Sequence, residues 1–72
     1  MNASETVLRA CELLRAFTDA GDILRVQDLA DRTRLPKATA SRLLLTLESA
    51  GFVEVCERRA HLYYSLVVGT KP

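Results

Sequence analysis

The sequence predicts a mainly α domain closed by a small β-hairpin: three helices followed by a two- or three-stranded β element. Three observations carry this expectation. Apolar residues recur at spacings of three and four through about residues 4–20, 26–33 and 36–50, the repeat of amphipathic helices. After Gly51 the pattern changes, and two runs rich in β-branched and aromatic residues read as strands. The second and third helical stretches are separated only by Thr33-Arg34-Leu35, the spacing of a helix-turn-helix.

The first helix is expected to start at an N-cap, Ser4, and to run to about Ala20. Glu5 in its first turn is favourably placed against the helix dipole. Val7, Ala10, Cys11, Leu14 and Phe17 form its main apolar stripe, and Leu8 and Leu13 widen that stripe on its flanks. Such a broad face either fills a small core or meets a second copy of the chain. Gly21-Asp22 ends this helix, and Ile23-Leu24-Arg25 is a short extended link or a minimal strand. Val26 to Thr33 then makes about two helical turns, with Val26, Leu29 and Ala30 facing inward and Asp28, Asp31 and Arg32 outward.

The third helix lies within Leu35 to Ala50. Pro36 suits its first turn, because it lacks the N–H that would go unpaired there and its φ is already helical. Gly51 supplies the stop, since glycine takes the left-handed conformation past a helix end without steric cost. Ala40, Leu43, Leu44 and Leu47 share one narrow face; Ala38, Ser41, Arg42, Leu45, Thr46 and Ser49 share the opposite one. Near its start that open face carries no acid, only small, hydroxylated and cationic groups. Residues 36–50 are therefore expected to be a recognition helix that enters a groove lined by anions and base edges.

Phe52–Glu57 and Leu62–Val67 are the expected strands, joined by Arg58-Arg59-Ala60-His61. A hairpin with a basic loop directly after a helix-turn-helix is a wing, at about residues 52–67. The connection lacks Asn-Gly or Asp-Gly, so a tight primed turn is not expected. Tyr64 and Leu66 should pack inward and Tyr63 outward. Val68 to Pro72 reads as a frayed end or the start of a connection.

Length and composition bound the function. Seventy-two residues make one small domain with a core just large enough to fold unaided. No apolar run approaches the roughly 18 residues that span a bilayer, and Met-Asn-Ala-Ser-Glu lacks the features of a secretory signal, so a cytoplasmic location is expected. Cys11, core-facing on the first helix, and Cys56, in a strand, fit small buried hydrophobes in a reducing compartment, and a disulfide is not expected. The net charge of +1 is unevenly distributed: residues 1–31 hold three basic and six acidic groups, whereas residues 32–72 hold seven and three. Positive charge thus gathers in the half with the third helix and the wing, the footprint of a polyanion partner.

Candidate contacts follow from position. Lys37 stands at a helix N-terminus, where free N–H groups also attract phosphate. Ala38, Thr39, Ser41, Arg42 and Thr46 lie on or beside the open face, with the hydroxyls suited to phosphate or base edges. Arg42, central on that face, can hold guanine O6 and N7 together or a backbone phosphate. Leu45 is expected at the edge of the core, with contact to a thymine methyl as the alternative. Arg58 and Arg59 at the wing tip suit the minor groove or phosphate, or else protect the end of the hairpin. An enzyme is not expected: His61 stands alone, no nucleophile–base constellation is evident, and the three glycines are isolated. Cys11, Cys56 and His61 lack the paired spacing of a metal site, so neither metal nor cofactor is expected.

From about Val7 to Leu66 the chain resembles the N-terminal DNA-binding domain of the IclR family of bacterial transcriptional regulators. The match is carried by Leu29-Ala30, by Leu35-Pro36-Lys37-Ala38-Thr39-Ala40-Ser41-Arg42-Leu43-Leu44, by Thr46-Leu47-Glu48 and by Ala50-Gly51-Phe52-Val53. The resemblance implies a winged helix-turn-helix that binds double-stranded operator DNA as a homodimer or a pair of dimers. It also implies a small-molecule effector sensed only through a larger C-terminal domain that these residues do not include. The other reading of the fold is a winged-helix protein-interaction or assembly module without DNA binding. Three positions depart from the family pattern. Arg25 stands where Ser or Thr commonly caps the second helix, a loss of about 1 kcal/mol unless Asp28 or a water compensates. Arg34 replaces the usual turn glycine, and a left-handed backbone there costs on the order of 1 kcal/mol that a phosphate contact can offset. Ala38 replaces a common serine and removes one hydroxyl from the contact surface.

Overall fold

The computed structural model describes residues 3–19 and 21–67. Its elements are α1 (Glu5–Arg15), β1 (Leu24–Arg25), α2 (Val26–Thr33), α3 (Lys37–Ser49), β2 (Val53–Arg58) and β3 (His61–Leu66). The strands form one antiparallel sheet in the order β1-β3-β2, so the minimal strand of the link exists and sits at the far edge from β2. Leu24 pairs with Tyr64 and Arg25 with Tyr63, which staples the start of α2 to the wing. Leu13, Phe17, Leu29, Ala30, Ala40, Leu44, Leu47, Val53 and Tyr64 form the buried core. Three helices and a three-stranded wing match the expected architecture, and Tyr64 faces inward as expected. Its buried phenol has a pKa raised above the ordinary tyrosine value, chiefly by desolvation and secondarily by Glu48.

Helix α1 is shorter and differently rotated than its apolar pattern suggests. The Ser4 hydroxyl accepts from the Val7 N–H at 3.3 Å, as an N-cap should. The helix does not reach Ala20, which lies outside the described residues; it ends at Arg15. The Arg32 guanidinium donates to the Ala16 carbonyl at 2.8 Å, while the Asp22 carboxylate accepts from the Thr18 and Asp19 N–H groups at 3.0 and 3.2 Å. Those bonds take backbone groups that a further turn would need. Leu13 is the buried centre of α1, with Ala10 and Leu14 packed beside it and Phe17 below. Val7, at 59% exposure, and Cys11 leave the core stripe, and Cys56 is exposed as well. The physical reason is that α1 packs against both α2 and α3, and the arc through Ala10, Leu13 and Phe17 has the same helical spacing as the arc through Val7 and Cys11.

Both helices of the central pair are closed by the same backbone device. At the end of α3, Gly51 takes φ 87°, its N–H donates to Glu48, and Phe52 N–H reaches the Leu47 carbonyl at 2.9 Å. At the end of α2, Arg34 takes φ 60° and Leu35 N–H reaches the Ala30 carbonyl at 3.1 Å. Arg34 thus takes the left-handed backbone that the family's usual turn glycine would adopt without steric cost. The start of α2 is capped in part: Arg25 has no side-chain acceptor, but the Asp28 carboxylate accepts from the Arg25 N–H at 3.1 Å. Pro36 is the N-cap of α3 rather than its first residue, because its ψ of 144° is extended; Lys37 begins the helix.

The wing differs from expectation at its tip. Strand pairing runs from Val53 with Leu66 to Arg58 with His61, one residue beyond the expected strand edge, and Phe52 lies before the strand. Only Arg59 and Ala60 are left in the loop, and both are left-handed at φ 53° and 68°. That is the primed, two-residue turn the sequence argued against. Two consecutive left-handed residues match the right-handed twist of the flanking strands, and the pairing enforces the turn despite the missing glycine. Residues 68–72, read as a frayed end or a connection, lie outside the described residues.

Candidate nucleic-acid interface

The surface is built on α3. Burial of Ala40, Leu44 and Leu47 fixes the rotation of the helix, and Leu43 packs at the edge of the core. The same rotation leaves Lys37, Ala38, Arg42, Leu45, Thr46 and Ser49 exposed and Thr39 and Ser41 half-buried. Leu45 is not shielded at the core edge: it is 55% exposed, in the middle of the open face. With Pro36 as N-cap no side chain closes the start of α3, so the first backbone N–H groups there remain available to an anion. The Thr46 hydroxyl donates to the Arg42 carbonyl at 3.2 Å and retains lone pairs for a donor from outside.

Four clefts sort the expected residues. One, of about 200 Å³, brings Lys37 together with Arg25 and Gln27 at the start of α2 and with Ala60 and His61 of the wing. A second, of about 230 Å³, brings Thr39, Arg42 and Leu43 together with Thr6 and Arg9 of α1. Arg58 and Arg59 lie elsewhere, around a hollow floored by Ile23 and Tyr63. Arg34 is separate again: it lines a cleft with Glu12, Arg15 and Arg32 at the end of α1, not with the residues of α3.

The sequence reading missed the neighbours of α3. Arg25, Gln27 and His61 reach Lys37 because β1 pairs with β3 and carries the start of α2 to the wing. A two-residue strand leaves little signal, so that juxtaposition was not visible. Thr6 and Arg9 belong to a helix read only for its apolar side, although their spacing of three placed them on a common face. Among the described residues no group of three or more His, Cys, Asp or Glu could hold a metal ion, and no helix is long and apolar enough to cross a membrane.

Comparison with known proteins agrees with this geometry. Residues 6–55 match the IclR helix-turn-helix domain, which takes in all three helices and the start of the wing but not its tip. The HTH-type transcriptional regulator TsaQ1/TsaQ2 of Comamonas testosteroni is 39% identical over 57 residues; the match covers 79% of this chain and 20% of that protein. Among solved structures, HlyU from Vibrio cholerae N16961 superposes with a TM-score of 0.62 at 21% identity, over 92% of this chain and 83% of that one. Reduced HlyU from the same organism gives 0.61 at 22% identity, over 89% and 78%. At such identities the likeness establishes the winged-helix fold.

Proposed function

Because the chain belongs to the IclR helix-turn-helix family, we propose that it binds operator DNA sequence-specifically and thereby controls transcription; its relative TsaQ1/TsaQ2 is named an HTH-type transcriptional regulator. In this reading α3 enters the major groove and the wing lies on the backbone or in the minor groove. The observation that carries it is the open face of α3, where Ala38, Arg42, Leu45 and Thr46 are exposed together with no carboxylate among them. Small residues let the helix backbone approach the groove floor. Arg42 reads a base pair or fixes a phosphate, Leu45 is free to meet a thymine methyl, and Lys37, Thr39, Ser41, Arg58 and Arg59 hold the backbone. Arg34, on its own cleft, is at most a contact outside the groove that α3 fills.

A two-fold operator calls for two copies of the chain, and we place the second copy's contact on the exposed apolar residues of α1, Val7 and Leu8. Selection of bound sites from random duplex DNA tests the whole reading: a palindromic consensus is the expected result, and no enrichment at low salt leaves the fold as a protein-interaction module. Arg42→Ala should then cost roughly 1–3 kcal/mol on the selected site, and a preference relaxed at one base pair assigns Arg42 to a base edge. An equal loss on every sequence assigns Arg42 to phosphate.

A further inference from the structure

The cleft between α1 and α3 has no place in a reading that confines DNA contact to the third helix and the wing. It is lined by Arg9 and Arg42, by Thr6 and Thr39, and by Leu43. No carboxylate lines it. Arg9 does have an acidic neighbour, Glu5, but the pair is a loose 3.6 Å contact one turn back on the same helix, with both side chains well exposed. The packing of α1 on α3 thus sets two cationic and two hydroxyl side chains around one small space. Repulsion between the guanidiniums is relieved when an anion sits there, and two planar forks plus two hydroxyls match the unesterified oxygens of a phosphodiester.

We propose that Thr6 and Arg9 of α1, with Thr39 and Arg42 of α3, form a seat for a single backbone phosphate of the bound duplex. This rests on the reading of α3 as a DNA-contacting helix and adds the first helix to the interface. The seat fixes how deeply α3 enters the groove, because the phosphate is gripped from two helices whose relative position is set by the core. Glu5 competes for Arg9 in the free protein and must release it on binding.

The test uses the whole chain on the selected duplex and on a random duplex at low salt. Arg9→Ala should lower the slope of log affinity against log salt on both duplexes, by at most about 0.9, one phosphate's worth, since Arg42 stays at the seat, while leaving the selected consensus unchanged. Replacing backbone phosphates one at a time by uncharged methylphosphonate should reveal one position whose neutralisation weakens the wild-type chain more than it weakens Arg9→Ala. Glu5→Gln should tighten binding by up to about fivefold, the range of an exposed ion pair. Since Arg9 and Glu5 are surface residues, melting curves matching the wild type confirm that the variants are folded. An unchanged salt slope and an identical methylphosphonate profile for Arg9→Ala overturn the seat, even where Arg42→Ala still abolishes specificity. Conversely, if no consensus is selected, the altered slope on random duplex still reports on the seat while the operator reading falls.

Discussion

Helices α1 and α3 face each other across the core and bury nearly the same chemistry, Ala10 and Leu13 on one side and Ala40 and Leu44 on the other. What they leave outside is different. The open side of α3 carries Ala38, Arg42, Leu45 and Thr46, whereas α1 exposes Val7, Leu8 and Cys11 amid Glu5, Glu12 and two arginines. Burial therefore says little about which helix meets DNA, because both satisfy the core equally. The residue left over decides: a surface with small side chains, hydroxyls and a cation fits a polyanionic groove, and one with mixed charge and scattered apolar groups does not. The cleft shared by Arg9 and Arg42 joins the two outer surfaces.

The largest test of this contrast exchanges centre for flank on α1. Leu13→Ala should destabilise the domain by about 2–5 kcal/mol, as Leu44→Ala should on α3, because each removes a fully buried side chain. Val7→Ser and Cys11→Ser, which the apolar pattern assigned to the core, should stay within about 0.5 kcal/mol of wild type. Urea unfolding separates the two classes. A Cys11 variant as damaging as Leu13→Ala breaks the account of how α1 is rotated.

That rotation marks the boundary of what the sequence makes legible. In α3 the apolar positions other than Leu45 form one narrow arc between a proline and a glycine, so the buried face and the limits to within a residue can be read directly. In α1, six apolar residues spread over more than half the circumference, and two arcs satisfy the same spacing. Only packing on two neighbours at once chooses between them. The minimal strand and the wing turn were hidden for another reason. Their geometry is imposed by pairing partners distant in the chain, so Arg59 and Ala60 carry no local signature of the conformation they adopt. The neighbours of Lys37 were invisible with them.

An intermediate effect comes from the three non-glycine residues held left-handed, one turn in the helix-turn-helix and one in the wing. Ala60→Gly should stabilise the domain by on the order of 1 kcal/mol, since it removes a Cβ from an unfavourable backbone and is offset only by the greater freedom of glycine when unfolded. Arg34→Gly should stabilise it by a similar amount, making the end of α2 like that of α3 at Gly51. Thermal melting reads both, at roughly 4–8 °C per kcal/mol for a domain of this size. The two substitutions also divide structure from function: if Arg34 touches DNA, its variant gains stability and loses affinity, while Ala60→Gly gains stability alone. Destabilisation by Ala60→Gly refutes the primed turn.

The smallest expected effect lies at the end of α1, where the contrast with α3 is electrostatic. The Asp22 carboxyl is held below its ordinary carboxylate pKa, first by the hydrogen bond from the Thr18 hydroxyl, with backbone bonds from Asp19 and Thr18 and the charge of Arg32 adding to it against some desolvation. A carboxylate depressed in the folded state contributes stability that is present above its unfolded pKa and is lost as pH falls through the folded one. Acidification below about pH 4 should thus loosen the connection after α1, while α3, closed by glycine and backbone bonds, keeps its protection. Amide exchange at Thr18 and Asp19 compared with Leu44 and Leu47 reads the difference. Asp22→Asn should show the same loosened connection at every pH, because a neutral amide attracts Arg32 less and accepts from fewer of these donors. Equal loss of protection at both ends would mean that the domain opens as one unit, and that the Asp22 bonds do not hold the end of α1 separately.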